Sequence, residues 1–163
     1  MNPSGKGYST AAFEGIRDIA VNHNISVISG EIYPELIFDG TQRSLATYDG
    51  MLDRTITING FSKTFSMTGF RLGFIAASTE HTTQAGKIHS HLVSCAAHFI
   101  QHAGIAVLKR TNIDEFTESM LDRFEYRRDV LINEISERGI DVPVPEGVIF
   151  VMIPLETDND MLW

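Results

Sequence analysis

The chain has 163 residues, of which 43% are hydrophobic and 21% are charged, and its formal net charge is −8. This composition is typical of a globular domain with its own core. The acidic excess argues against binding nucleic acid or an anionic membrane through a general basic surface. A single cysteine, Cys95, excludes a disulfide framework within the chain. No apolar run reaches bilayer-spanning length and no signal-peptide pattern is present, so we expect a cytoplasmic protein without a membrane partner.

The first elements are predicted by turn and capping residues. Asn2-Pro3-Ser4-Gly5 is typical of a turn, of the kind that usually follows a strand. Ser9 or Thr10 can then cap a helix whose apolar residues recur at helical spacing. The apolar, β-branched run from Ile25 to Ser29 predicts a buried parallel strand. A helix followed by such a strand indicates an α/β fold.

The most informative stretch covers residues 55–74. It begins with the β-branched strand Thr55–Ile58, which Asn59-Gly60 interrupts. Ser62-Lys63 follows, and Arg71 comes eight residues after the lysine. A lysine just past the end of a buried strand lies where α/β sheets place ligand chemistry. An arginine close to it, across a glycine, can reach back to an anion.

This run, Ser-Lys-x-x-x-x-x-Gly-x-Arg-x-Gly, resembles the signature of fold-type I enzymes of the aminotransferase class I/II family, which use pyridoxal 5′-phosphate. The resemblance implies that Lys63 binds the cofactor covalently through its amine and later moves the α-proton of the substrate. Arg71 and Ser62 would hold the cofactor phosphate, with the arginine offering a planar fork of donors. The implied fold is part of the family's large-domain sheet with flanking helices.

Three further positions follow from the same resemblance. Asn2 and Tyr33 would both donate to the ring hydroxyl oxygen of the cofactor. Gly30 stands where the family pattern has an aspartate that pairs with the pyridine nitrogen and makes the ring an electron sink. Alternation along a strand turns Ser29 and Glu31 to the opposite face from that position. Neither can replace the aspartate, and we expect a weakened electron sink.

The second half of the chain is predicted to be mainly helical. Leu72–Ala76 is expected to form a strand antiparallel to its neighbour, as the resemblance implies. Residues 84–110 are predicted to be helical, and Asp114 is expected to cap a long helix that ends near Arg138. Ile140–Val144 and Val148–Ile153 are predicted to form two strands around a Pro-Glu-Gly turn.

The resemblance also implies a domain organisation and a larger assembly. Residues 1–113 would form part of the cofactor-binding large domain, residues 114–139 a connecting helix, and residues 140–163 the start of a small carboxyl-terminal domain. The chain resembles only the middle of the family's sequence. We therefore expect open sheet edges and an uncovered apolar face, with a tendency to self-associate. The full-length parent is expected to be a homodimer.

Two histidines have a spacing that is compatible with metal binding. His98 and His102 are four residues apart and could share one face of a helix, as a metal-binding pair would. No acidic or cysteine residue nearby completes a ligand set, and Cys95 lies on a different turn of the helix. We therefore predict no metal site, with these side chains packed or solvated.

Three functions are compatible with the sequence. The first is an amino-acid aminotransferase, which moves an amino group from an amino acid to a 2-oxo acid and is weak or inactive as this short chain. The second is a lyase or decarboxylase on the same scaffold, because the cofactor ring performs the difficult chemistry in each. The third is a non-catalytic remnant that serves as a binding or assembly module, which Gly30 favours.

Overall fold

The computed structural model describes residues 2–40 and 42–154. In those ranges the chain has an α/β fold, which confirms the predicted class. Within residues 2–40 and 42–154, no helix combines the length and the hydrophobicity of a membrane-spanning segment. The elements, in chain order, are α1 (Thr10–Asn22), β1 (Val27–Gly30), β2 (Thr55–Gly60), β3 (Gly73–Ala76), α2 (Thr79–Leu92), α3 (His98–Leu108) and α4 (Ile113–Ser136).

The strands form one mixed sheet in the order β1-β2-β3. β1 runs parallel to β2, with Val27 opposite Thr55. β3 runs antiparallel to β2, with Gly73 opposite Gly60, which confirms the predicted direction of this strand. A Cβ on Gly60 would lie 2.9 Å from the carbonyl oxygen of Leu72, so the close return of the chain after the lysine loop requires a glycine there.

Helix α1 covers one face of β1 and supplies much of the small core. The Ser9 side chain accepts a hydrogen bond from the Ala12 amide and so caps the helix as predicted. The buried core residues that share this cluster are Phe13, Ala20, Leu45 and Met51, and Ile16, Val27 and Tyr48 pack around them. Leu45 begins a short 3₁₀ turn, Leu45–Thr47.

The helical stretch predicted for residues 84–110 is two helices rather than one. α2 ends at Leu92 and α3 begins at His98. Between them Ser94 has a positive φ of 62°, a left-handed conformation that cannot continue an α-helix. The prediction of helix is therefore right on both sides of the break and wrong at residues 93–97.

The long helix α4 agrees closely with its predicted bounds. It begins at Ile113 after the cap residue Asn112, so Asp114 lies in the first turn rather than at the cap. A carboxylate there still interacts favourably with the positive end of the helix dipole. The helix ends at Ser136, and Gly139 has a φ of 76°, as expected for the glycine that follows a helix.

The two strands predicted around residues 145–147 are absent from the described residues. Instead, residues 140–154 form an irregular segment with one isolated bridge, between Ile37 and Gly147. Pro143 and Pro145 lack the N–H groups that a strand ladder needs, which explains the absence of the first strand. Val148, where the second predicted strand begins, has a left-handed φ of 63°, which an extended strand does not have. Val148 does donate to the carbonyl of Leu36 at 2.7 Å, so the segment is attached to the body of the chain. The predicted small-domain segment extends to residues 155–163, which lie outside the described residues.

Much apolar surface is uncovered, as the sequence predicts. Every residue of β3 is exposed, and α2 has no buried residue. Ile28 on β1 is 68% exposed and Phe99 on α3 is 72% exposed. A chain of this size normally turns such residues towards other elements, so these surfaces are typical of contact with further polypeptide.

Glu146 ties the irregular carboxyl-terminal segment to the start of the chain. Its carboxylate accepts from the Lys6 ammonium at 2.9 Å and from the Gly7 amide at 3.1 Å. Its carbonyl oxygen accepts from the Phe38 amide at 2.8 Å. The hydrogen bond from Lys6, followed by that from Gly7, lowers the pKa of Glu146 below its ordinary value of 4.5.

We expect Glu146→Gln to make the stability of the chain less dependent on pH in the acid range. Because the folded chain lowers the pKa of Glu146, the ionised group stabilises the fold above its ordinary pKa. This contribution is lost as the pH falls through the lowered value. The melting temperature of the variant should therefore be lower than that of the parent at neutral pH, and this difference should shrink as the pH falls below 4.5 and through the lowered pKa of Glu146. Glu118→Gln, at an exposed position on α4, is the control. A constant difference at all pH values would contradict the assignment.

Candidate functional site

Lys63 lies in a compact loop that connects β2 to β3. The Phe61 amide donates to the carbonyl of Leu72 at 3.1 Å, and the Met67 amide donates to the carbonyl of Phe61 at 3.3 Å. Phe61 and Met67 are both buried, and so is Thr64. These contacts fix the loop at its base, so the lysine is presented at the end of the central strand.

The amine of Lys63 lies close to Tyr33. Its Nζ is 5.8 Å from the centroid of the tyrosine ring, within reach of a cation–π contact. Tyr33 also packs edge-on against Phe150, with ring centroids 6.0 Å apart. Burial raises the pKa of Tyr33, so its hydroxyl remains a proton donor over a wider pH range. Among the described residues Lys63 makes no ion pair, so no carboxylate competes for its amine there.

Asn2, Gly30 and Tyr33 are brought together at one cavity of about 340 Å³. This volume is at the lower end of the range for small-molecule sites, about 300–1,000 Å³. Ser62, Lys63 and Arg71 do not line this cavity. The structure therefore places the ring-facing candidates in one group and the residues of the lysine loop in another, with the Lys63–Tyr33 contact between them.

Arg71 has an unusual backbone conformation. It follows a short 3₁₀ turn, Thr68–Phe70, and adopts left-handed angles, φ 53° and ψ 38°, which a residue with a side chain seldom takes. Its Nη1 donates to the carbonyl of Thr68 at 2.9 Å, and the side chain is exposed. Such conformations persist where the surroundings enforce them and are enriched at ligand sites. The rest of the guanidinium edge is available to an anion, because no carboxylate in the described part of the chain pairs with it.

Gly30 leaves open space beside the cavity. A Cβ built on this residue would meet no atom within 4 Å, and its φ is outside the left-handed range. Neither packing nor backbone conformation requires a glycine at this position. Gly30 therefore lacks the carboxylate of the family pattern, and no steric constraint accounts for the glycine.

A buried carboxylate that the sequence did not mark as important lies next to Gly30. Glu31 is 8% exposed. Its Oε1 accepts hydrogen bonds from the Ser29 hydroxyl at 2.9 Å, the Ser44 hydroxyl at 3.0 Å and the Leu45 amide at 3.2 Å. Ser29 and Glu31 thus share one face of the strand, as the alternation predicts. Their partners are 13 and 14 residues further along the chain, and only the β-strand period could have suggested this inward position.

The two histidines of α3 contact each other. His98 and His102 have their Nε2 atoms 3.2 Å apart and are both exposed. In the ranges 2–40 and 42–154, no group of three or more histidine, cysteine, aspartate or glutamate residues is placed to hold a metal ion. The pair is therefore not supported by further ligands of those types, and the absence of a metal site remains a prediction.

Comparison with known proteins gives the family. The family description "Aminotransferase class I and II" matches residues 1–163. The aromatic-amino-acid aminotransferase 2 of Thermococcus litoralis is 36% identical over 151 residues. The aspartate aminotransferase of Pyrococcus abyssi is 37% identical over 151 residues. Each alignment covers 92% of this chain but only 39% of the relative's length, so the chain spans about two fifths of these proteins.

Solved structures agree with this fold. The aromatic aminotransferase of Pyrococcus horikoshii matches with a TM-score of 0.87 and 37% identity, over 92% of this chain and 40% of that one. A double mutant of the Thermus thermophilus aspartate aminotransferase matches with a TM-score of 0.89 and 26% identity, over 94% of this chain and 40% of that one. The match of this family description to residues 1–163 shows that the chain belongs to the aminotransferase class I and II family.

Proposed function

We propose that this chain carries the lysine-bearing part of a pyridoxal-phosphate-dependent amino-acid aminotransferase. The reaction would move an amino group from an amino acid to a 2-oxo acid. The observation that carries the proposal is the fixed loop after β2, with the amine of Lys63 held over the ring of Tyr33. Family membership and relatives named aspartate and aromatic-amino-acid aminotransferase support the same reaction class.

The residues present fit the cofactor on its aldehyde and phosphate sides. Lys63 supplies an amine without a paired carboxylate in the described residues, and Arg71 supplies donors for a phosphate. Ser62, half-buried beside the lysine, would add a hydroxyl donor. On the ring side, Asn2 and Tyr33 border one cavity and would donate to the ring hydroxyl oxygen. The ring nitrogen has no carboxylate partner at Gly30.

In this proposal each side chain has a separate task. When bound, pyridoxal phosphate supplies an electron sink that weakens the bonds to the substrate α-carbon. Lys63 holds that group covalently and then carries a proton from the α-carbon of the substrate as a general base. Arg71 and Ser62 keep the phosphate in place. Tyr33, whose pKa is raised by burial, donates a hydrogen bond without losing its proton.

Cofactor binding and substrate turnover place different demands on this site. With Gly30 in place of a carboxylate, we infer that the chain binds the cofactor more readily than it turns over substrate. The open position at Gly30 also favours a non-catalytic remnant or assembly module as the second candidate. A lyase or decarboxylase on the same scaffold would use the same residues. We expect the full-length parent to be a cytoplasmic homodimer, with residues 1–113 in its large domain and residues 140–163 beginning its small one.

Covalent trapping at Lys63 tests the proposal directly. We expect pyridoxal phosphate, followed by borohydride reduction, to leave a stable label on the peptide that contains Lys63. Lys63→Ala should abolish this label, and Lys87→Ala, at an exposed position on α2, should leave it unchanged. Digestion and mass spectrometry locate the label. A label that falls mainly on Lys6, Lys87 or Lys109 would show that the amine has been wrongly assigned.

Comparison of pyridoxal phosphate with pyridoxal tests whether Arg71 binds the phosphate group. Arg71→Ala should weaken pyridoxal phosphate binding by roughly 10- to 100-fold, the usual effect of losing charged hydrogen bonds. It should leave the binding of pyridoxal, which lacks the phosphate, unchanged. Arg71→Gly is the matched control, because glycine accepts the left-handed backbone without strain and also lacks the guanidinium. Both dissociation constants can be measured by fluorescence titration. An equal loss for the two ligands would mean that Arg71 does not hold the phosphate.

Replacement of Gly30 tests where the ring nitrogen lies. Gly30→Asp has space for its side chain and needs no backbone change, so the variant should fold. We expect its affinity for pyridoxal phosphate to rise about tenfold, the effect of one charge-assisted hydrogen bond. Gly30→Asn, of equal size but uncharged, should give a much smaller gain. If aspartate and asparagine behave alike in titration, the ring nitrogen is not adjacent to this position.

A further inference from the structure

The ring of Tyr33 contacts a residue from the irregular segment that follows α4. Phe150 packs against it edge-on, with ring centroids 6.0 Å apart and an angle of 80° between the ring planes. Aromatic pairs prefer this geometry, which depends on the orientation of both rings. The centroid of the same tyrosine ring is 5.8 Å from the Nζ atom of Lys63. Tyr33 therefore has one neighbour in the lysine loop and another, Phe150, to which the proposed function gives no task.

Backbone hydrogen bonds attach the segment that carries Phe150 to the chain beside Tyr33. The Val148 amide donates to the carbonyl of Leu36 at 2.7 Å, and the Leu36 amide donates to the carbonyl of Tyr33 at 3.1 Å. A Cβ on Gly147 would lie 2.5 Å from the carbonyl oxygen of Leu36, so this close approach requires a glycine. The backbones that carry the two rings are thus held together independently of the rings themselves.

Val148 has a backbone conformation that a β-branched residue rarely adopts. Its φ is 63°, in the left-handed range, although the residue is buried. Such outliers persist where the surrounding contacts enforce them, and they are enriched at functional sites. This residue changes the direction of the chain between Gly147, which contacts Leu36, and Phe150, which contacts Tyr33. The strained residue therefore lies where the segment turns its phenylalanine towards the site.

Helix α4 holds the same segment from another side. The Nη1 of Arg128 donates to the carbonyl of Pro145 at 3.3 Å. The side chain of Arg128 is only 11% exposed, and its guanidinium carbon lies 4.5 Å from the centroid of the Phe38 ring. Pro145 is itself buried. The position of Phe150 is thus supported both by the chain beside Tyr33 and by α4.

The orientation of the Tyr33 ring determines what its hydroxyl can bind. The hydroxyl is at the tip of the ring, so its position follows the two torsions that orient the ring. Neighbouring side chains that fix these torsions prepare a donor before its ligand arrives. Burial raises the pKa of Tyr33, and the Phe150 ring contributes to that burial. One contact therefore both orients the hydroxyl and helps to keep it protonated.

We propose that Phe150 is a positioning residue, which holds Tyr33 so that the tyrosine hydroxyl donates to the ring oxygen of pyridoxal phosphate beside the amine of Lys63. This inference rests on the proposed function, because it concerns the same site. Phe150 acts through Tyr33. Without the Phe150 ring, the hydroxyl is still present but is no longer held in one direction.

Titration of the free chain tests the contact without any cofactor. In chain labelled with ¹³C-tyrosine, NMR follows the ionisation of Tyr33, and Tyr33→Phe identifies its signal. We expect Phe150→Ala to lower the pKa of Tyr33 towards its ordinary value of 10.0, because the ring loses an apolar neighbour. Phe99→Ala removes an exposed ring on α3 and should leave this pKa unchanged. An unchanged pKa in Phe150→Ala would overturn the proposal.

Binding of pyridoxal tests whether Phe150 acts through the tyrosine hydroxyl. Phe150→Ala should weaken this binding roughly three- to tenfold, the usual effect of losing one hydrogen bond. In a Tyr33→Phe background the same change should have little further effect, because no hydroxyl remains to be positioned. Phe150→Tyr keeps an aromatic ring and should retain most of the affinity. Equal losses in the two backgrounds, measured by fluorescence titration, would give Phe150 a general structural role and overturn the proposal.

These outcomes can be distinguished from failure of the proposed function. A label at Lys63 combined with equal losses in the two backgrounds would overturn only the role of Phe150. A pKa of Tyr33 that responds to Phe150→Ala, combined with no label at Lys63, would contradict the proposed function and the positioning role together.

Discussion

The central strand β2 forms backbone hydrogen bonds with a parallel neighbour on one edge and an antiparallel neighbour on the other. This double pairing fixes the point at which Lys63 leaves the sheet, because the lysine loop begins directly after Gly60 and returns through Gly73. Both glycines face each other where the two backbones approach most closely. The position of the amine therefore depends on strand pairing, and the loop contacts only refine it.

Elements determined by neighbouring residues were predictable from the sequence. Helix α1 follows from Ser9 and an apolar repeat, and β2 follows from four β-branched residues in succession. Apolar content predicted strands at 140–144 and 148–153 that did not form. Pro143 and Pro145 remove ladder donors in and beside the first, and Val148, at the start of the second, has a left-handed φ of 63°. Local patterns describe what a segment prefers, whereas pairing also needs a partner with free donors and acceptors.

The candidate site was predictable in identity but not in arrangement. The motif singled out Lys63 and Arg71, yet it gave no indication that Arg71 would be left-handed or that Glu31 would bind Ser44. The Glu31 contacts join residues 13 and 14 positions apart in the chain, a separation that no local pattern reports. The carboxylate of Glu31 holds the end of β1 against the 3₁₀ turn that Leu45 begins, so it fixes the strand that ends at Gly30. A buried charge with three donors is stable in such a place, whereas an unpaired one would not be.

The two groups of candidate residues meet at Tyr33. Asn2, Gly30 and Tyr33 border one cavity, whereas Lys63 and Arg71 do not line it. The amine of Lys63 lies 5.8 Å from the centroid of the Tyr33 ring, so this tyrosine is the contact between the cavity and the lysine loop. A ligand that fills the cavity would therefore approach the amine beside Tyr33, and a change at this one residue would affect both groups.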